Sequence, residues 1–453
     1  MKLSEISRAL REIRVSPVKT LGQNFLHDQN LARWIVQQAE LSAADFVLEI
    51  GPGLGALTGP TLDTGAQVLA IEKDGRLADF LRVHFVGRRL EVIHGDALEF
   101  EVRRLFSRGP TKLLANLPYY ASTQILLRFL QPPTPITLAL LMLQKEVAAR
   151  LSAAPRSKAY GILTLIVQSQ CRVEYLRTVP ASVFLPEPEV ASAFVRLTPR
   201  APNELPDHDR AFFMALVRRG FSQRRKQLAK LLKEHLPDWP QAAEEIGAAP
   251  RARAEELSLE QWIALTNLIR PGVPPVKGTE PEESFAVVDE MDRVIGASTR
   301  SEVHGNNLRH RAVHIFISNR AGEVLLQKRS RWKDRHPNVW DSSAAGHVGA
   351  GEEYDTTAVR ELNEELGLAT PLLRVAKLAA SAETGQEFIW LYRGEHEGPF
   401  FPAEAEIDGV QFFPPAVIAQ WIMRRPGDFA PGFLACWRAS LAAEAAPLTN
   451  YRT

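Results

Sequence analysis

Residues 271–283 read PGVPPVKGTEPEE. Their prolines, glycines and glutamates cannot pack a core, so the segment reads as a linker that divides the 453 residues into two bodies. A chain of this length exceeds one ordinary hydrophobic core in any case. With 45% apolar and 24% charged residues it has the composition of globular protein. A formal net charge of +1 argues against a polycation, so nucleic-acid contact would need a local basic patch. The two cysteines, Cys171 and Cys436, lie far apart and form no CxxC pair, which argues against a disulfide framework and fits a reducing cytoplasm. No run approaches the ~20 apolar residues of a membrane span, and the first twenty residues lack a secretory apolar region. The expected location is therefore cytoplasmic, with no membrane partner.

Before the linker, the short apolar runs FVLEI (46–50), QVLAIE (67–72), LEVIHGD (90–96) and KLLANL (112–117) alternate with helical patterns. That rhythm predicts an α/β, Rossmann-like domain over residues 1–202, built on a doubly wound parallel sheet. From residue 203 the patterns AFFMALVRRGF, QLAKLLKEHL and LEQWIALTNLI predict a small helical subdomain, 203–270. Beyond the linker, FAVVDE, AVHIFISN, EVLLQKR and FIWLYR predict strands, and residues 356–366 a helix, in a domain spanning 284–453.

The chemistry concentrates at predicted strand ends. Gly51, Gly53 and Gly55 follow the first strand, where glycines let the backbone approach a ligand. A bare tight turn would look the same. Glu72 ends the second strand, where an acid can hold ribose hydroxyls, and Asp96 follows the third, where a carboxylate can accept from an adenine amino group. The sequence Asn116-Leu-Pro118-Tyr119 ends the fourth. An adenine amino nitrogen is a poor nucleophile because its lone pair is delocalised into the ring. An Asn oxygen and a backbone carbonyl beside a Pro can accept both amino hydrogens and free that lone pair, while Tyr119 offers a face for an extruded base.

Residues 15–270, which carry these motifs, resemble the bacterial rRNA adenine dimethyltransferase family, whose eukaryotic relatives include the Dim-type enzymes. The resemblance rests on LGQNFLHD (21–28), LEIGPGLGALT (48–58), IEKD (71–74), GDAL (95–98), NLPYYAS (116–122), VFLPEPEVASA (183–193) and FSQRRKQL (221–228), in the family's order. It implies S-adenosylmethionine as cofactor, contacted by Asn24, Leu26, Gly51, Glu72, Asp96 and Asn116, with Gly53 in the same turn. It also implies that Phe184 stacks on the target adenine opposite Tyr119. Tyr120-Ala121 replaces the family's usual Asn-Ile, and Glu189 and Ala191 stand where Lys and Asp are frequent. Arg218, Arg219, Arg224, Arg225 and Lys226, with no acid between residues 218 and 233, suit RNA phosphates.

In the second body, Gly346, Glu352, Arg360-Glu361-Leu-Asn-Glu364-Glu365-Leu-Gly367 and Leu368 match the Nudix box at every defined position. Glu361, Glu364 and Glu365 stand at i, i+3 and i+4, so they share one helix face and repel unless a cation sits among them. Hard carboxylates suit Mg2+ or Mn2+, which could activate water against a diphosphate-containing small molecule. Arg360 is expected to point away from these glutamates and brace the loop carrying Glu352. VVDEMDRVIG (287–296), EVHGNNLRHRAVHIFISN (302–319), LLQKRS (325–330) and VWDSSAAGHV (339–348) also resemble isopentenyl-diphosphate-isomerase-like Nudix proteins. The resemblance implies metal-binding histidines at His310 and His347, with His304 near. The isomerases' catalytic cysteine is here Ala345, and Cys436 lies outside the box, so a hydrolase is expected and an isomerase is not.

The sequence thus predicts a dimethyltransferase acting on two adjacent adenosines near the 3′ end of small-subunit rRNA, within the immature small ribosomal subunit, fused to an α/β/α Nudix hydrolase. Large-subunit rRNA methylation, DNA adenine methylation, a non-catalytic assembly factor and a Nudix domain that only binds are the rivals.

Overall fold

The structure is a computed structural model. It describes residues 3–17, 23–119, 121–131, 133–200, 204–206, 208–223, 225–236, 238–269, 283–330, 333, 335–403 and 406–445. The chain divides into two compact units, Met1–Gly272 and Val273–Thr453. The linker reading falls, but for Glu283, outside the described residues, as do Tyr120 and Arg224.

In the first unit the strands are β1 (Phe46–Ile50), β2 (Gln67–Glu72), β3 (Leu90–His94), β4 (Thr111–Asn116), β5 (Ile136–Gln144), β6 (Cys171–Val179) and β7 (Ser192–Pro199). They form one sheet in the order β3-β2-β1-β4-β5-β7-β6. The β1 sequence FVLEI is buried along its whole length, as a central parallel strand covered on both faces must be. Neighbours β3 to β5 run parallel, but β7 is antiparallel to β5 and β6 antiparallel to β7. The four strands expected from sequence are parallel, and the antiparallel edge is an addition the sequence reading did not foresee. Only residues 180–191 separate β6 from β7, and a pair closed by a short connection without a crossover helix is antiparallel.

Two corrections concern the helical region. The pattern QLAKLLKEHL yields a single turn, Leu228–Leu231, and the chain from 232 to 235 continues in a bend and turns. Its core is also shared: Phe213, Leu216, Val217, Trp239 and Trp262 pack with Ala153, Tyr160 and Leu165, so the 203–270 helices close over residues of the sheet domain.

The second unit has a nine-stranded sheet: β8 (Ser284–Val288), β9 (Val294–Thr299), β10 (His310–Ser318), β11 (Val324–Arg329), β12 (Trp340–Asp341), β13 (Ala344–His347), β14 (Leu373–Leu378), β15 (Glu387–Glu395) and β16 (Ile407–Phe413). Strand β10 is central, antiparallel to β13 and parallel to β15. Its side chains alternate between two layers, as the strand period demands. Val313, Ile315 and Ile317 join Ala358, Leu362 and Leu366 of the helix Tyr354–Leu366. Phe316 meets Phe433 at 5.7 Å and Trp437 at 6.0 Å between ring centres, both on the helix Pro431–Ala445. The result is α/β/α. Among the described residues, no helix is long and apolar enough to cross a membrane.

Candidate functional site

A cavity opens at the carboxyl ends of β1, β2 and β4. Asn24, Leu26, Gly51, Gly53, Glu72, Asp96, Asn116 and Pro118, all expected from sequence, line it. Gly51 and Gly53 have φ of +69° and +59°, a left-handed conformation in which a side chain is strained. A Cβ on Gly51 would also come 3.3 Å from the Asn116 carbonyl oxygen. Glu72 is buried and bridges the turn: its Oε2 accepts from Gly53 N–H at 3.0 Å and its Oε1 from Asp74 N–H at 2.9 Å. Burial raises its pKa against these two amides. Beside it, Glu49 is pushed up to about 7 by burial, while the Thr58 hydroxyl donates to it at 2.7 Å. Asp96 behaves oppositely. Burial raises its pKa, but Lys73 Nζ at 2.7 Å and Leu98 N–H at 2.9 Å carry it below the ordinary range.

Asn116 donates its Nδ2 to the Asn24 carbonyl at 3.2 Å, which turns its amide oxygen into the acceptor left over. The Pro118 carbonyl accepts from Ala121 N–H at 3.1 Å and fixes the turn. Tyr119 is half-buried, its hydroxyl 2.7 Å from Ser192 Oγ. Phe184 is not brought to the cavity. It is 3% exposed, packed with Leu26, Met142, Val179 and Phe194. Its backbone instead builds the wall: Phe25–Leu26 pairs antiparallel with Phe184–Leu185, joining two motifs read separately in the sequence. Of the basic patch, Arg218, Arg225 and Lys226 are exposed. Arg219 braces the subdomain, donating to the Leu231 carbonyl at 3.1 Å and to Glu234 at 3.3 Å.

In the second unit the carboxylate helix carries a correction. Arg360 does fork onto Glu352 at 3.1 Å, but it does not point away from the glutamates. Its Nη1 lies 3.0 Å from Glu361 and 2.8 Å from Glu364, so the side chain itself supplies positive charge to that face. A guanidinium is long enough to serve both loops, which spacing alone does not reveal. Glu364 is exposed. Glu365 is buried and accepts from Ala345 N–H at 3.0 Å and Gln327 Nε2 at 3.2 Å. Burial pushes Glu361 up to about 7 and Glu365 higher still, with the Glu406 charge adding to both. A Cβ on Gly346 would fall on the Glu361 carboxylate, so a side chain there would force that glutamate to move.

A second cluster lies nearby. The ring nitrogens of His304, His310 and His347 come within 4.8 Å of one another. His310 Nδ1 is hydrogen-bonded to the Leu308 carbonyl at 2.9 Å, which leaves the Nε2 lone pair free. His304 Nδ1 contacts Arg335 at 2.8 Å, and its buried Nε2 has no partner. Burial, then the neighbouring positive charges, lower His304 to about 4, so it is neutral at pH 7. Glu387 Oε1 lies 3.5 Å from His310 and 3.4 Å from His347. Three ring nitrogens with one carboxylate suit a first-row divalent metal. Ala345 N–H is spent on Glu365, and the Cys436 thiol is fully buried and raised well above its usual pKa by that burial.

Comparison with known proteins now decides the first unit. The model of the family "Ribosomal RNA adenine dimethylase" matches residues 17–270, more than half the chain. The chain belongs to the ribosomal RNA adenine dimethylase family. A NUDIX domain matches residues 308–431. Among curated relatives, "Ribosomal RNA small subunit methyltransferase A" of Halothermothrix orenii is 40% identical over 272 residues, covering 57% of this chain and 90% of the relative. The protein of that name from Prosthecochloris aestuarii is 40% identical over 261 residues, covering 58% and 97%. A solved structure, the 23S rRNA methyltransferase ErmE, is 29% identical, covers 54% of this chain and 99% of its own, and has a TM-score of 0.47.

Sequence reasoning missed several parts of the dimethylase cavity. Ile6, on the helix Leu3–Glu12, and Gln23, Lys73 and Leu77 also line it. The amphipathic pattern of that first helix and the Lys inside IEKD were the available signals. In the NUDIX domain, Glu387 was invisible because it sits on β15, about 40 residues after the histidine it faces, in no motif.

Proposed function

We propose that the dimethylase unit uses S-adenosylmethionine to dimethylate two adjacent adenosines near the 3′ end of small-subunit rRNA, in the immature small subunit. The observation that carries this reading is the Asn116 amide, whose nitrogen donates to the Asn24 carbonyl and whose residue lines the cofactor-type cavity. The names of the relatives support the small subunit as target. The cavity fits the cofactor: Gly51 and Gly53 leave room a Cβ would fill, Glu72 is held for ribose hydroxyls and Asp96 for an adenine amino group. When bound, the sulfonium supplies an electrophilic methyl group. Asn116 Oδ1 then accepts from the target amino group and raises its nucleophilicity, and Tyr119 stacks on the extruded base. Arg218, Arg225 and Lys226 contact phosphates. Primer extension on rRNA from a deletion strain should lose its stops at two neighbouring adenosines near that 3′ end. Persistent stops there would remove this target.

For the NUDIX domain we propose hydrolysis of a diphosphate linkage in a small molecule, with Mg2+ or Mn2+ held by Glu361, Glu364 and Glu365. Support comes from carboxylates buried against one another, a charge that a divalent cation would offset. Glu352 and Arg360 hold the loop over that face. His304, His310, His347 and Glu387 are proposed to take a second, softer metal. The full chain, screened against nucleoside and non-nucleoside diphosphates with magnesium and again with chelator, tests the reading. Turnover unaffected by chelator would sink it.

A further inference from the structure

On β10, His314 faces away from the carboxylate helix, into a cavity also lined by Ala430, Pro431 and Gly432. The residue is 5% exposed. Its Nδ1 is 2.7 Å from the Ser342 hydroxyl and 3.8 Å from Asp341 Oδ1. Asp341 is in turn held by Arg329 at 2.9 Å and by Ser342 N–H at 2.8 Å, so the imidazole is fixed from behind by a buried network. Among the described residues its Nε2 makes no hydrogen bond. That edge is turned to Gly432, where a Cβ would come 3.1 Å from Nε2. Gly432 therefore keeps the imidazole edge uncovered.

Gly432 opens the fifteen-residue helix Pro431–Ala445. The first donor there with an intrahelical partner is Leu434 N–H, to the Ala430 carbonyl at 3.1 Å, so the amides of Gly432 and Phe433 precede the ladder. A helix start with spare amides attracts anions, and here a buried imidazole shares its cavity. Two of the acids that line the same cavity are paired with guanidinium groups. Asp341 pairs with Arg329 and Glu383 with Arg438 at 2.6 Å, while Glu387 faces His310 and His347. Arg300 and Arg335 line it too.

We infer that His314 Nε2 and the first turn of the helix Pro431–Ala445 form a phosphate-binding subsite. It rests on the diphosphate-hydrolase reading for its role, which is to seat the phosphoryl group of the substrate distal to the carboxylate helix. The subsite requires the tautomer in which the Ser342 hydroxyl donates to Nδ1 and Nε2 carries the proton toward the oxyanion.

The test is calorimetric binding of inorganic phosphate and inorganic diphosphate to the full chain in chelator, for wild type, His314→Phe and Gly432→Ala. Phenylalanine keeps the ring volume without the donor, and alanine places a methyl group against Nε2. Each should weaken binding by about tenfold or more, the loss of one charge-assisted hydrogen bond, with rRNA methylation unchanged. Should His314→Phe lower the thermal midpoint, Gly432→Ala carries the test alone. Absence of phosphate binding in the wild type, or wild-type affinity in both variants, overturns the subsite. Phosphate binding that depends on His314, in a protein that hydrolyses no diphosphate, would leave the subsite standing and remove the hydrolase reading. Hydrolysis that needs Glu365 but keeps its KM in both variants would do the reverse.

Discussion

The two units hold their acids differently. Burial raises Glu49 and Glu72 of the dimethylase cavity as it does the NUDIX glutamates, but there each acid has its own donors. Glu72 takes two backbone amides, and Asp96 takes an ammonium and an amide. In the NUDIX domain Glu361 and Glu365 are pushed up by burial and by neighbouring carboxylate charge, although the guanidinium of Arg360 opposes the first, and the Ala345 amide, Gln327 and the Lys333 ammonium oppose the second. The first site is preorganised for a neutral or zwitterionic ligand that needs acceptors. The second stores like-charge repulsion that an incoming cation relieves. The contrast teaches that two acid-lined sites in one chain can be told apart by what satisfies the acids before any ligand arrives.

The largest effect should come from the preorganised side. Asn116→Ala is expected to cut methyl transfer to undermethylated small subunits by about 100- to 1,000-fold, as removal of one preorganised transition-state contact does. Calorimetric binding of a non-reactive cofactor analogue should weaken far less. Equal losses in both would mean that Asn116 serves the cofactor alone, and the contrast between ready acceptor and strained acid would fail.

On the other side, Glu365→Gln should lower Mn2+ affinity and diphosphate hydrolysis together, by about 100-fold, near the top of the range for groups that support a metal. Removing the charge also relieves repulsion, so the apo NUDIX domain should melt no earlier than wild type. A variant that melts earlier would show that Glu365 is a structural acceptor for Ala345 and Gln327, not a strained ligand.

Phe184→Ala and Tyr119→Ala separate packing from stacking. Phe184 lies in the core, so its truncation should cost about 3–5 kcal/mol of stability, read by urea titration of the dimethylase unit. Tyr119 is half-exposed, so its loss should leave stability nearly intact and weaken handling of the base by about 1–3 kcal/mol. If Phe184→Ala unfolds at the wild-type urea midpoint and still loses methylation, Phe184 leaves its core position to meet the adenine.

The smallest effect concerns Ser192, which holds the Tyr119 hydroxyl. Ser192→Ala should raise the KM for rRNA about fivefold, the worth of one hydrogen bond of about 1 kcal/mol. Tyr119→Phe should show the same loss, and the double variant no more than either. Additive losses would dissolve the proposed pairing.

Much of this was legible beforehand for a local reason. Strand, turn and acid follow one another within a few residues at Gly51, Glu72, Asp96 and Asn116, and the Nudix box fits on one loop and one helix. Contacts between distant segments were not legible. Nothing in VFLPEPEV says that Phe184 turns inward while its backbone pairs with Phe25–Leu26. Nothing in the helix pattern says that Arg360 reaches Glu352, Glu361 and Glu364 at once. The antiparallel β6–β7 edge was missed because β6 alternates buried and exposed residues irregularly and contains a register shift at Tyr175 to Arg177. Glu387 and Gly432 belong to no motif and acquire meaning only from what they face.

The ladder between Phe25–Leu26 and Phe184–Leu185 has a consequence for how the polypeptide is made. A ribosome delivers residues 25 and 26 long before residues 184 and 185. Until the later pair emerges, the segment carrying Asn24 and Leu26 has no strand to dock on, and the pocket stays open on that side. Sequence separations of this size slow folding, because loop-closure entropy is lost before the contacts form. Truncated nascent chains that stop before residue 184 should therefore fail to retain a cofactor analogue, and chains extended past β7 should hold it.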